Sequence, residues 1–134
     1  MDNIKVQFRL IEETKSYAYG DIVKLKGAKL HQRDAIDMAM GGHLFAITEI
    51  LADKYRVSPI TSQMQQLKHF YGYPIKEWQK ANLKKESYIS LQSYGYIAED
   101  KIIVKTGELS EADKQGLSVA LKKEVKRRQI IEKI

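Results

Sequence analysis

The stretch ITEILADKYRVSPITSQMQQL, Ile47 to Leu67, decides how this chain is read. Ile47 and Leu51 stand four apart, and upstream Ile36, Met40 and Leu44 recur at spacings of three and four. That is the period of an amphipathic helix. The apolar phase ends at Leu51-Ala52, and a short polar turn leads into Val57-Ser58-Pro59. Ser58 fits an N-cap, and Pro59 fits the first helical position, where a missing N–H costs nothing. Ile60, Met64, Leu67 and Phe70/Tyr71 then mark the buried stripe of a second helix. Read this way, the centre of the chain is helical.

Working outward, Ile4, Val6, Phe8 and Leu10 alternate with polar residues, the period of a half-buried strand. Ile22-Val23-Lys24-Leu25-Lys26 reads as a second strand, so residues 1–30 are expected to form a β-hairpin. Residues 32–94 form the helical region, with 47–71 as its helical pair. Gly41-Gly42 breaks the first helical run, since two glycines cost about 2 kcal/mol of propensity relative to alanine. Another helix is expected from Pro74 to about Lys85, with Ile75, Trp78 and Leu83 inward. Residues 96–106 read as a small hairpin around Glu99-Asp100. The last helix, 110–134, has the clearest signals. Ser110-Glu111-Ala112-Asp113 supplies a cap and an acidic first turn, and Lys126, Arg127, Arg128 and Lys133 crowd the other end. Leu117, Ala120/Leu121, Val125 and Ile130/Ile131 mark its apolar stripe. The expected fold is α+β: a single domain over 1–134, mostly helical, with an N-terminal β-hairpin and a small β-wing.

Composition narrows the function classes. At 134 residues, 43% hydrophobic and 30% charged, the chain has globular composition and length enough for a real core. It contains no cysteine, which excludes disulfides, thiolate-held zinc, iron–sulfur clusters and a thiol nucleophile. MDNIKVQFR lacks the apolar run of a signal peptide, and no stretch has the roughly 18 consecutive apolar residues of a membrane span. A soluble cytoplasmic protein is the expectation.

The net charge of +6 is uneven. Residues 54–97 hold seven basic and two acidic side chains, and also eight of the twelve aromatics. Lysines among aromatics suit nucleic acid, because cations neutralise phosphates and rings stack on bases. The plainer alternative is a core of aromatics beneath a solvated basic face.

Leu51-Ala52, Val57-Ser58 and Thr61 fall where a helix-turn-helix carries its close crossing, its turn anchor and the start of its recognition helix, and the segment resembles that superfamily. Leu91 to Ile97, Glu99-Asp100 and Lys101 to Val104 resemble the end of a helix and the β-wing of a winged helix. The resemblance covers about 47–105. Two departures stand out: Arg56 sits where the turn often has glycine, and Ser62 where an apolar residue is usual. The wing would make Asn82 to Tyr94 the recognition helix, and the better cap favours Ile60 to Tyr71 instead. The resemblance implies DNA contacts by Thr61, Ser62, Gln63, Gln65, Gln66 and Lys68. Lys76, Lys80 and Lys84 extend the basic surface.

Other site classes find less. His31, His43 and His69 lack ligand spacing, so no metal site is expected. No carboxylate pair or glycine-flanked serine marks a catalytic centre, and no cofactor motif is present. The C-terminal helix has three readings: a packed helix, a homodimer contact through Val125, Ile130/Ile131 and Ile134, or a phosphate grip. The leading expectation is a non-enzymatic DNA-binding regulatory or accessory protein. The alternative is a small protein-binding module, an inhibitor or assembly adaptor, whose contact patch is Tyr71, Tyr73, Trp78, Tyr94 and Tyr96.

Overall fold

Leu44–Ile50 and Tyr55–Thr61 are strands, paired antiparallel across a turn in which Leu51 N–H donates to the Lys54 carbonyl at 2.9 Å. The computed structural model describes residues 16–26, 44–62 and 72–132. In chain order it contains β1 (Asp21–Leu25), β2 (Leu44–Ile50), β3 (Tyr55–Thr61), β4 (Gly72–Pro74), β5 (Tyr88–Ser90), β6 (Gly95–Ile97), β7 (Ile102–Glu108) and α1 (Glu111–Glu132). A short 3-10 turn, Glu99–Lys101, precedes β7. The strands make one antiparallel sheet in the order β4-β5-β3-β2-β1-β7, with β6 also on β3. The expectation of a mostly helical, winged-helix-like domain is therefore overturned.

Residues 63–71 lie outside the described residues, and over 47–62 the expected helix-turn-helix is replaced by the β2–β3 hairpin. Its helical spacing arises because both faces of these strands are buried. Phe45 and Ile47 enter one core cluster with Val23, Tyr55 and Val57, while Ala46 enters another with Ile22, Ile60 and Ile89. A strand covered on both sides shows no polar–apolar alternation. A bulge at Thr48, between the Ile47 and Glu49 pairings, breaks the remaining period. Ala52, expected at a helix crossing, is exposed in the turn.

Ser58-Pro59 caps no helix. On one side β3 meets β6 over Tyr55–Val57 and β5 over Ile60-Thr61, and Ser58-Pro59 fills the gap between them. A proline is tolerated where a ladder is interrupted. Ser58 is fully buried there, and its hydroxyl has no hydrogen-bond partner among the described residues. Pro74 lies on β4, at the end of the sheet order, where a missing donor is also tolerated.

The expected helix from Pro74 to Lys85 is a single turn-like loop. Leu83 N–H donates to Trp78 O at 3.1 Å and Asn82 N–H to Gln79 O at 3.1 Å, with Asn82 left-handed at φ 62°. This pattern ends a helical turn before a helix develops. The expected wing at 96–106 is not a hairpin either, because β6 pairs with β3 and β7 pairs with β1. Of the expected N-terminal hairpin, Ile22 to Leu25 is in β1, whose partners are β2 and β7. Residues 4–10 and 32–42 lie outside the described residues.

α1 is the one long helix among the described residues, and its Ser110 cap is legible. Ser110 Oγ accepts from Asp113 N–H at 3.2 Å. Leu117 is buried in the core cluster that also takes Tyr73, Ile75, Ala81 and Leu109, with Ala120 and Leu121 packed against it. Val125 and Ile130 are exposed and sit roughly 140° apart around the helix. They do not continue one apolar stripe. Among the described residues, no helix is long and apolar enough to cross a membrane.

Candidate nucleic-acid interface

Strand alternation places Arg56, Ser58 and Ile60 on one face of β3. Ile60 lies in the core cluster under α1, while Arg56 lies at the opposite end of the strand. On β6, Tyr96 is the register partner of Arg56, so the two side chains share that face. Tyr94, two residues earlier, joins them. The rings of Tyr94 and Tyr96 meet edge to face, with centroids 5.7 Å apart and an interplanar angle of 81°.

Three cations surround the pair. The Arg56 guanidinium lies 4.3 Å from the Tyr94 ring centroid, and Lys54 Nζ lies 5.3 Å from that of Tyr96. Arg128, from α1, approaches Tyr94 at 6.0 Å. Tyr96 is 43% exposed, and Lys54 is exposed on the β2–β3 turn. Two counter-charges are near: Glu49, exposed on β2, is the register partner of Arg56, and Glu124 on α1 pairs with Arg128 at 3.3 Å. These rings are not core. They are a polar-rimmed aromatic pair on a sheet face.

α1 reaches this face because its first turn is fixed. The fully buried Asp113 accepts from Tyr73 Oη at 2.6 Å, Lys76 N–H at 3.0 Å, Glu77 N–H at 2.9 Å and Ser110 Oγ at 3.4 Å. Burial alone would raise the Asp113 pKa, but the Tyr73 hydroxyl and the two backbone N–H donors outweigh it and hold the carboxyl below its ordinary value. Tyr73 is pushed upward by burial and then by its bond to that carboxylate. Gly116 completes the fit, since a Cβ there would collide with the Tyr73 hydroxyl. Further along, the Arg127 ion pair holds the Glu124 pKa down against its burial.

Of the residues expected to contact DNA, Thr61, Ser62, Lys76, Lys80 and Lys84 are described. Thr61 is half-buried at the end of β3, and Ser62 follows it, exposed. Gln63, Gln65, Gln66, Lys68 and Tyr71 lie outside the described residues. Lys76, Lys80 and Lys84 are exposed on the β4–β5 loop, with Lys80 paired to Glu77 at 2.6 Å. That loop meets α1 at Asp113, about 22 Å along the helix axis from Arg128. Within the expected protein-contact patch, Tyr73 is in the core, Trp78 packs against it, and Tyr94 and Tyr96 stand on the sheet face. The three histidines are outside the described residues, among which no His, Cys, Asp or Glu group fits a metal ion.

Sequence reasoning missed Lys54 and Arg56. The signal was two alternating tripeptides, Lys54-Tyr55-Arg56 and Tyr94-Gly95-Tyr96, each putting its outer residues on one face of a strand. Compared with known proteins, the chain matches no family model and no curated protein.

Proposed function

We propose that this chain binds single-stranded nucleic acid on the face formed by Lys54, Arg56, Tyr94, Tyr96 and Arg128. The observation that carries the reading is the paired tyrosine rings, set outside the core and flanked by three cations. Aromatic rings stack on bases only where base faces are free, which favours unpaired strands over duplex. The cations supply phosphate neutralisation. This departs from the helix-turn-helix reading, whose turn and recognition-helix start, Val57 to Thr61, lie in strand β3. The proposed role is binding without chemistry. The cysteine-free sequence supports action in the cytoplasm.

The test is fluorescence anisotropy with labelled single-stranded RNA, single-stranded DNA and duplex DNA across a salt series. Single strands of one or both kinds should bind more tightly than duplex, and binding should weaken with salt. Tyr96→Ala should cost about 1–3 kcal/mol per stacked base, or about 5- to 150-fold in affinity. The probe should be recovered intact. No single-strand binding at low salt, or an unaffected Tyr96→Ala variant, refutes the reading. The protein-binding alternative then gains, because tyrosine and arginine are also the residues of protein hot spots.

A further inference from the structure

Arg128 is not a loose surface cation. Its Nε donates to Glu124 Oε1 at 3.3 Å, and its Nη2 donates to the Gln92 carbonyl at 3.0 Å. Glu124 is only 5% exposed. Its carboxylate also accepts from Arg127 Nη2 at 2.8 Å and Nε at 3.0 Å, and from Gln92 Nε2 at 3.5 Å. Arg128 is thus held from the helix side by Glu124 and from the sheet side by the loop that leads into Tyr94. A long side chain loses much rotamer freedom in such a grip. Two guanidiniums share one carboxylate, so the cluster keeps a net positive charge where it meets the Tyr94 ring.

We infer that Glu124 is a positioning residue for the nucleic-acid face: it orders Arg128 beside Tyr94, so that an incoming phosphate meets a preset guanidinium. The inference rests on the proposed reading of that face. It has an unusual sign. Removing a carboxylate from a phosphate-binding surface adds one unit of positive charge, and by long-range attraction alone it should tighten binding. If Glu124 acts through Arg128, removing its charge weakens binding instead.

The experiment compares wild type, Glu124→Gln, Arg128→Gln and the double variant. The probe is a labelled single-stranded oligonucleotide of roughly ten nucleotides. Glu124→Gln should weaken binding severalfold. Its log–log salt slope should fall by about 0.7, the share of one phosphate contact on a single strand. Between about 50 and about 200 mM salt, that change alone is about 2.6-fold. Arg128→Gln should show the same losses, and the double variant should lose little more. A second measurement needs no ligand: NMR of the arginine Nε–H groups should find the Arg128 proton protected from exchange in wild type. That protection should vanish in Glu124→Gln while the α1 backbone amides stay protected. Tighter binding by Glu124→Gln, losses that add in the double variant, or unchanged Arg128 protection each overturn the positioning role. If wild type binds no oligonucleotide while Arg128 protection behaves as expected, the reading of the face is what fails, and the role assigned to Glu124 falls with it.

Discussion

Asp113→Asn is the sharpest test of how α1 is held. The change keeps shape and removes charge. Two donors, the Tyr73 hydroxyl and the Lys76 N–H, reach Asp113 Oδ1, and the Glu77 N–H and Ser110 hydroxyl reach Oδ2. An asparagine oxygen can serve the first pair, each bond weakened by about 1 kcal/mol once the acceptor is neutral. The amide nitrogen then faces the Glu77 N–H, leaving that donor unsatisfied at about 1–3 kcal/mol. The expected loss is about 3–5 kcal/mol, or roughly 10–20 °C in Tm for a chain of this size. Thermal unfolding followed by circular dichroism measures it. Acid adds a second reading. The folded carboxyl sits below its ordinary value of 3.8, so its stabilisation is present above that value and lost as pH falls through the lower folded pKa. Wild type should lose this stability below about pH 4, and the asparagine variant should lack that step. A Tm change under about 3 °C, or the same acid step in both proteins, refutes the argument.

Other outcomes follow from single contacts. Gly116→Ala should cost about 1–3 kcal/mol in chemical denaturation, because its new methyl meets the Tyr73 hydroxyl; full stability would show that α1 packs differently. Gly107→Ala should be at least as harmful, since its Cβ would meet the Ala81 backbone carbonyl, which cannot swing aside. Tyr55, buried and bonded to Glu99 at 2.9 Å, should ionise only near 12, so its stabilisation is complete below pH 10 and lost as pH rises towards about 12. Phenolate absorbance of wild type against Tyr55→Phe checks this, and matching titrations would contradict it. Glu49→Gln, which removes the exposed carboxylate across from Arg56, should tighten single-strand binding and raise the salt slope; unchanged affinity would separate Glu49 from the site.

Parts of this fold were legible in the sequence for local reasons. The Ser110 cap, the acidic first turn and Leu117 announce α1, because capping and dipole signals are written within a few residues. β1 was legible as an apolar run closed by glycine, though its neighbours were not. β2 and β3 were misread for a non-local reason. Their helical spacing comes from burial on two faces and a bulge at Thr48, and neither is visible without the partner strands. Ser58-Pro59 looked like a helix start because the gap between β5 and β6 that tolerates proline is built by residues about 30 positions downstream. The binding face was half legible. Tyr94 and Tyr96 stood out by composition, but Arg56 was judged against a turn glycine, and only the register with β6 gives it a partner.

The β1–β7 pairing has a consequence for how the chain folds. Asp21 pairs with Glu108 and Leu25 with Ile102, so the strand next to the start of the sheet arrives near its end. Closing a loop of about 80 residues is an entropic cost met before its contacts repay it, and such topologies fold slowly. On a ribosome, the β2–β3 hairpin can form early, while the outer edge of β1 stays open until β7 emerges. That edge carries Ile22 and Val23, fully buried in the finished protein. The growing chain therefore passes through a stage in which an apolar strand is paired on the β2 side alone, and its yield should depend on how quickly the last third of the sequence follows the first.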